Sequence, residues 1–199
     1  HFACVSGTEG FFIGDFYGNI VARDMIGHAQ RVSIANYCPE REGREIVVTN
    51  FWGHQGVIFL YDCYGNQIWE MENEMNGNIL SPVNWDGDGT ELILTNADAE
   101  KGGLLNGRGI RAVEFPDDGH PVLCCESLDL TGDERDELVV WDYHSMYIYT
   151  QDDCPKEQTY HPVQFPIYNA SNYRGEYSYP DASYLDFHAD KEKMKDNRK

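Results

Sequence analysis

Arg44-Glu-Ile-Val-Val-Thr-Asn50, Thr90-Glu-Leu-Ile-Leu-Thr-Asn96 and Asp136-Glu-Leu-Val-Val-Trp-Asp142 are three copies of one short strand pattern in a chain of 199 residues. Each copy has a glutamate at its second position. The glutamates stand at positions 45, 91 and 137, so both intervals are 46 residues. Apolar and β-branched residues fill the centre of each copy, as they do in β-strands. A strand that recurs in step over a period in the forties indicates a repeat fold with several strands in each repeat.

This period predicts an all-β protein, and specifically a β-propeller in which each repeat forms one four-stranded blade. The strand and turn patterns account for about three and a half blades, whereas closed propellers have about four to eight. We therefore expect part of a seven- or eight-bladed ring over residues 1–166, followed by a wrapping segment and a charged tail over residues 167–199. The partner expected to complete the ring is a second chain or a second copy of this one.

Turn residues place the strands within the blades. The first half-blade is predicted to have strands at 10–17 and 20–25 around a Gly-Asn turn, which is typical of hairpins. The first complete blade is predicted over 30–71. In the second blade, residues 97–108 are interpreted as a long connection and 109–115 as the third strand. That interpretation leaves no room for a fourth strand before the next repeat.

Charge and cysteine content narrow the choice of partners. The formal net charge is −19, which argues against nucleic acid because its phosphates would be repelled. No apolar run reaches the length of about 18 residues that a membrane-spanning helix needs, so no membrane partner is expected. The six cysteines include no Cys-x-x-Cys pair, and Cys124 and Cys125 would point to opposite faces of a strand. Most of the cysteines are therefore expected to be free thiols.

Two polar loops that precede the repeated strand have the spacing of a calcium site. In Asn84-Trp-Asp-Gly-Asp-Gly-Thr-Glu91, oxygen-bearing side chains alternate and a late carboxylate closes the loop, and Asp129-Leu-Thr-Gly-Asp-Glu-Arg-Asp136 has the same arrangement. Such oxygen ligands suit a hard cation, so a structural Ca²⁺ is expected in each loop; the alternative is a polar turn without metal. The expected ligands are Asn84, Asp86, Asp88, Glu91, Asp129, Thr131, Asp133 and Asp136.

Reactive side chains are expected to gather on the face opposite the calcium loops. Strand direction alternates within a blade, so the connections between second and third strands, and those between blades, share that face. Imidazole and phenol groups can transfer protons near neutral pH, and a guanidinium can neutralise a carboxylate. The candidate catalytic residues are His28, His54, Arg108, Tyr143 and His144, and the candidate substrate-binding residues are Trp52, Lys101 and Asn106. For each residue alone, a solvated surface side chain is the competing interpretation.

A family resemblance rests on the run Ala35-Asn-Tyr-Cys-Pro-Glu-Arg-Glu-Gly-Arg-Glu-Ile-Val-Val48 with the preceding Gly27-His28. It resembles the propeller-fold polysaccharide lyases of the rhamnogalacturonan lyase type (family eleven), with features shared by ulvan lyases and FG-GAP propellers. The later Asp129-Leu-Thr-Gly-Asp-Glu-Arg-Asp-Glu-Leu138 and Asn172-Tyr-Arg174 are similar too. The resemblance implies an eight-bladed, calcium-rich propeller that cleaves acidic polysaccharide by β-elimination. It places His28 on the family's histidine and adds Arg174 to the substrate-binding candidates.

Two functions are compatible with these features. The first is a polysaccharide lyase, or its C-terminal half, acting on a uronate-containing polysaccharide. In the lyase, the proton-transfer residues would be His28, His54 or His144 with Tyr143. Arg108 would neutralise the carboxylate of the uronate. The second is a non-catalytic FG-GAP-like propeller that binds carbohydrate or protein. Calcium loops favour a secreted or cell-surface location, whereas free cysteines favour the cytoplasm.

Overall fold

The computed structural model describes residues 1–50, 56–72, 80–133 and 135–152. Within these ranges the chain forms fourteen β-strands and no helix, which confirms the all-β prediction. No helix long and apolar enough to cross a membrane is found in the described part of the chain. The predicted wrapping segment and tail, and the candidate residues Trp52, His54 and Arg174, lie outside the described residues.

The strands form four antiparallel sheets that follow one another along the chain, and each strand pairs with the next strand in sequence. The first sheet has β1 (Phe2–Ser6), β2 (Gly10–Gly14) and β3 (Ile20–Asp24). The second sheet has β4 (Ala29–Ala35), β5 (Glu45–Asn50), β6 (Val57–Tyr61) and β7 (Gln67–Glu72). The third sheet has β8 (Ser81–Val83), β9 (Leu92–Leu94), β10 (Leu104–Leu105) and β11 (Arg111–Val113). The fourth sheet has β12 (Cys124–Leu128), β13 (Glu137–Trp141) and β14 (Met146–Tyr149).

The repeated strand has the same place in three consecutive sheets. It forms β5, β9 and β13, and each of these pairs on one side with the first strand of its sheet and on the other with the third. The two strands predicted at 10–17 and 20–25 are present as β2 and β3, but β1 precedes them and pairs with β2 from Phe2↔Gly14 to Ser6↔Gly10. The sequence pattern predicts no strand at these first residues.

The third sheet has four strands, so the prediction of a three-stranded second blade is wrong. The missing strand is β10, which lies inside the predicted connection 97–108 and pairs with both β9 and β11. Residues 109–115 therefore contribute the fourth strand of the sheet and not the third. A two-residue strand has no alternation to detect, and the glycines around it are typical of a loop.

Neighbouring sheets pack face to face, and the repeated strands are buried on both sides. Ile46 and Val48 of β5 point into a core shared with the first sheet, whereas Val47 points into a core shared with the third sheet. The alternation recurs in β9, where Ile93 faces the second sheet while Leu92 and Leu94 face the fourth. Because successive side chains of a strand point to opposite faces, burial on both faces explains the unbroken apolar runs of the repeat.

The first strands of the sheets lie next to one another. β1 contacts β4, β4 contacts β8, and β8 contacts β12. Hydrogen bonds add to these contacts, since Ser33 Oγ donates to Leu80 O at 2.5 Å and Ser127 Oγ donates to Pro82 O at 3.3 Å. The four sheets are thus joined through their faces and along one set of edges.

The described cysteines agree with the free-thiol prediction. Cys4, Cys38, Cys63, Cys124 and Cys125 carry no disulfide, and Cys154 lies outside the described residues. Burial raises the pKa of Cys38 to about 11 and that of Cys125 to about 12. These two thiols pack in the cores between sheets as small apolar groups.

Candidate functional site

The sheets have two edges with different loops. One edge, here called the loop edge, carries the polar loops 36–44, 84–91 and 129–136 that connect the first and second strands. The connections from second to third strands, such as 95–103, and the connections between sheets leave from the opposite edge. This arrangement follows from the antiparallel pairing and agrees with the predicted separation of the two kinds of loop.

Glu91 and Asp136, two of the predicted calcium ligands, connect neighbouring sheets. Glu91 Oε2 accepts the Asn36 N–H at 2.6 Å, while Asn36 O accepts the Glu91 N–H at 3.0 Å. One sheet further along, Asp136 Oδ2 accepts the Asn84 N–H at 2.7 Å and Asn84 O accepts the Asp136 N–H at 2.9 Å. The same exchange therefore joins the second sheet to the third and the third to the fourth.

Other predicted ligands stabilise their own loops. Asp129 Oδ1 accepts the Gly132 N–H at 2.6 Å, and Asp88 Oδ1 accepts the Thr90 N–H at 3.0 Å. The guanidinium of Arg135 pairs with the carboxylate of Asp133, and Arg135 Nε donates to Asp133 Oδ2 at 2.9 Å. Asp86, Asp88, Asp129 and Thr131 are exposed, and Asn84 is buried.

Loop 129–136 concentrates negative charge. Burial raises the pKa of Asp136 to about 6, and the neighbouring charges of Asp129, Glu137 and Glu91 add to this effect. In the described ranges, however, no three His, Cys, Asp or Glu side chains converge in a way that could hold a metal ion. Structural Ca²⁺ in these loops stays a prediction from the sequence spacing.

The predicted catalytic residues near the edge opposite the loops belong to different connections. His28 precedes β4, is half-buried, and has Nε2 2.9 Å from Gln30 Oε1. Tyr143 and His144 form the β13–β14 turn, where Tyr143 is 90% exposed and His144 is also exposed. Asp142 holds that turn by accepting the His144 and Ser145 N–H groups. The structure places these residues in the predicted connections, and their catalytic roles stay predictions.

Asn106 and Arg108 are not in the same connection as Lys101, which corrects the sequence interpretation. Because β10 reverses the chain, both residues lie in the β10–β11 turn at the loop edge, whereas Lys101 lies in the β9–β10 loop at the other edge. The turn packs on the second sheet, where Trp69 Nε1 donates to Gly107 O at 2.9 Å. Asn106 Oδ1 accepts two backbone N–H groups of its own turn, and Arg108 is exposed.

A groove lies between the second and third sheets, beside the β9–β10 loop. Its volume is about 290 Å³, and it is lined by Ile58, Met71, Glu72, Thr95, Glu100, Lys101, Leu105 and Arg111. Three of these residues are apolar, two are cationic and two are acidic. Lys101 had been predicted from the sequence as substrate-binding.

Arg111 is the residue of this groove that the sequence prediction missed. Its Nη1 donates to Glu100 O at 2.5 Å, and its Nε is buried without a hydrogen-bond partner. The nearby Lys101 has a side chain 37% exposed, with Nζ 3.7 Å from Glu100 Oε1. An isolated arginine on a short strand gives no signal in the sequence, and only the pairing of β10 with β9 and β11 brings it to the same groove as Lys101.

His120, also missed, lies behind the loop that carries Lys101. Its Nδ1 is 2.8 Å from Asp118 Oδ1, and its Nε2 is 2.6 Å from Ala97 O. The ring packs against Phe115 and Tyr149, and Tyr149 donates its hydroxyl to Asp118 at 3.0 Å. The His120 imidazole therefore contacts three parts of the chain: the connection after β11, the β9–β10 loop and β14.

The chain matches no protein-family model, no curated protein and no solved structure.

Proposed function

We propose that this chain is part of a β-propeller that binds an acidic, uronate-containing polysaccharide in the groove beside the β9–β10 loop. The observation that carries the proposal is the presence of Lys101 and Arg111 together in a groove of about 290 Å³ in a chain of net charge −19. An anionic ligand is repelled by the whole protein, so it needs such local cations to bind.

The groove offers each kind of contact that a uronate residue uses. Lys101 and the guanidinium of Arg111 suit its carboxylate, since charge-assisted hydrogen bonds are the strong ones. Met71, Ile58 and Leu105 offer an apolar wall to the C–H groups of the sugar ring. The carboxylates of Glu72 and Glu100 can accept hydrogen bonds from the sugar hydroxyls.

The propeller architecture is supported by the repetition of the sheets. Four consecutive antiparallel sheets stack face to face, and their first strands lie side by side, as blades do around an axis. In the described residues, exposed large apolar side chains are concentrated in the first and fourth sheets and their connections, for example Ile20, Val21, Met146 and Ile148. A second chain or second copy that packs on these sheets and completes the ring is part of the proposal.

Cleavage by β-elimination is the catalytic form of the same proposal. In that reaction a base removes the proton on C5 of the uronate, the C4–O bond breaks, and a C4=C5 double bond forms while the leaving oxygen takes up a proton. His28, His54, Tyr143 and His144 are the candidate proton-transfer groups. Arg108 lies at the loop edge, so Arg111 with Lys101 replaces it as the candidate for neutralising the uronate carboxylate.

Calorimetric titration with short oligouronates tests the binding site. We expect wild-type protein to bind them and Lys101→Ala or Arg111→Lys to weaken binding by about tenfold, the loss of one charge-assisted hydrogen bond. Arg108→Ala is the matched control, because it removes an exposed arginine from the loop edge, away from the β9–β10 loop. Neutral oligosaccharides of equal length should not bind.

Two results would contradict this assignment. If binding is lost in Arg108→Ala and kept in Lys101→Ala, the binding site lies at the loop edge. If neutral oligosaccharides bind equally well, Lys101 and Arg111 do not select an anionic ligand. Ultraviolet absorbance of the unsaturated uronate then separates the two forms of the proposal. A rise with time supports the lyase, and binding without a rise supports the non-catalytic propeller.

A further inference from the structure

The β9–β10 loop behaves as one structural unit because its own hydrogen bonds close it. Asp98 Oδ1 accepts the N–H groups of Glu100 and Lys101, at 3.0 and 2.7 Å. Gly102 N donates to Asp98 O at 2.7 Å, and Gly103 N donates to Asn96 O at 3.0 Å. Whatever fixes one point of this loop therefore also fixes the position of Lys101.

His120 holds the β9–β10 loop at Ala97. Its Nε2 lies 2.6 Å from the carbonyl oxygen of Ala97, within the loop, while its Nδ1 lies 2.8 Å from the carboxylate of Asp118. Both partners are acceptors, so both ring nitrogens must donate for the two hydrogen bonds to exist together. Only the doubly protonated imidazolium has two N–H donors.

The surroundings of the ring favour this charged form. The β11–β12 connection, which carries His120, places the carboxylate of Asp118 and the carbonyl of Pro116 near the ring. Strand β14 places Tyr147 and Tyr149 against it. The β9–β10 loop contributes the Ala97 carbonyl, beside Asp98. Burial alone would lower the pKa of His120, but the hydrogen bonds to Ala97 O and Asp118 outweigh it and raise the pKa above its usual value.

We propose that His120 is a positioning residue for the groove. Its imidazolium holds the β9–β10 loop, and with it Lys101 and Glu100, in the arrangement that binds an anion, and loss of the proton releases the loop. The effect on ligand binding rests on the function proposed above, whereas the attachment of the loop does not.

The direction of the pH dependence follows from the raised pKa. Asp118 keeps the proton on Nδ1 when the ring is neutral, so Nε2 then presents a lone pair to the Ala97 oxygen and the bond to the loop is lost. A raised folded pKa means that the stabilisation is complete below the unfolded value of about 6.5 and disappears as pH rises through the folded value.

Nuclear magnetic resonance of the wild-type protein tests the attachment without a ligand. We expect the His120 ring to titrate with a pKa above the usual value of about 6.5. The amide protection factors of Gly102 and Gly103 should fall by about tenfold across the His120 titration, as a charge-assisted hydrogen bond is lost. A His120 pKa at or below the usual value, or protection that does not change with pH, would overturn the proposal.

Substitution extends the test to binding. His120→Gln keeps an amide that can donate to Ala97 O and does not titrate, so its protection factors and its oligouronate affinity should not vary over the pH range in which the wild type changes. His1→Gln, the matched control at an exposed histidine outside the candidate site, should keep the wild-type pH profile. A pH profile in His120→Gln equal to that of the wild type would contradict the role of His120. If no variant and no wild-type sample binds oligouronate at any pH, the function proposed above fails, and the protection factors still decide the attachment.

Discussion

Glu45 and Glu137 are buried acids whose oxygens hold the backbone of the loops at the loop edge. Glu137, 1% exposed, accepts the N–H groups of Leu130 and Thr131 through Oε2, at 2.7 and 3.0 Å. Glu45, which is fully buried, accepts the Cys38 N–H at 2.8 Å. Glu91, the second copy, binds Asn36 of the preceding sheet instead. The recurring glutamate thus serves as an internal acceptor for loop N–H groups that strands cannot satisfy.

Replacement of Glu137 measures this contribution. Glu137→Ala leaves two backbone N–H groups without their acceptor, so we expect a loss of about 2 kcal/mol in the free energy of unfolding. Urea denaturation followed by fluorescence gives the value. Glu137→Gln keeps an oxygen acceptor and should lose less, and Glu114→Ala, at an exposed position, should change the free energy by less than about 0.5 kcal/mol. Equal losses in Glu137→Ala and Glu114→Ala would contradict the role of Glu137.

Among the elements, β10 has the largest effect on the candidate site. It has two residues, both buried, and its pairing with β9 and β11 places Lys101 at one edge of the third sheet and Arg108 at the other. Gly103 precedes it with φ +103°, and a Cβ there would lie 2.3 Å from Val113 O. The close approach of β11 therefore requires glycine at this position.

Gly103→Ala tests the requirement. The substitution combines a positive φ with the clash against Val113 O, so we expect it to lower the free energy of unfolding by at least about 2 kcal/mol. Gly119→Ala is the matched control, since Gly119 has φ +80° with no atom within 4 Å of the added Cβ, and it should cost only about 1 kcal/mol. Thermal and urea denaturation of both variants provide the comparison. If the two substitutions cost the same, the close packing of β10 against β11 is not what selects glycine.

At the scale of the whole molecule, the sheets are joined by cores between their faces and by backbone exchange at the loop edge. Two of the carboxylates in that exchange, Glu91 and Asp136, are also expected calcium ligands. A cation bound there would therefore stabilise contacts between sheets as well as single loops. Its effect should appear in the melting of the entire chain.

Chelation gives the corresponding prediction. If calcium is present at about a hundred times its dissociation constant, it stabilises the folded state by about 2.7 kcal/mol, which corresponds to about 5–10 °C in melting temperature for a chain of this size. Removal of calcium with a chelator should lower the melting temperature by that amount, and added Ca²⁺ should restore it. The double variant Asp86→Asn, Asp88→Asn removes the charge of two expected ligands, both exposed, and should reduce the shift. A melting temperature that does not respond to the chelator or to added Ca²⁺ would contradict the prediction that the loops bind calcium.

The sequence by itself determined the all-β class and the repeated second strand, because these depend on local periodicity and on spacing along the chain. It also placed Lys101 in the connection after the repeated strand, and strand alternation assigned that connection and the polar loops to different edges. Only the tertiary structure decided that β10 exists, that Asn106 and Arg108 lie at the loop edge, and that Arg111 joins Lys101 between two sheets. It also placed His120 against Ala97, 23 residues away, and Glu91 against Asn36, 55 residues away. These arrangements arise from strand pairing and from the packing of one sheet on another, and residues that meet in this way share no pattern along the chain.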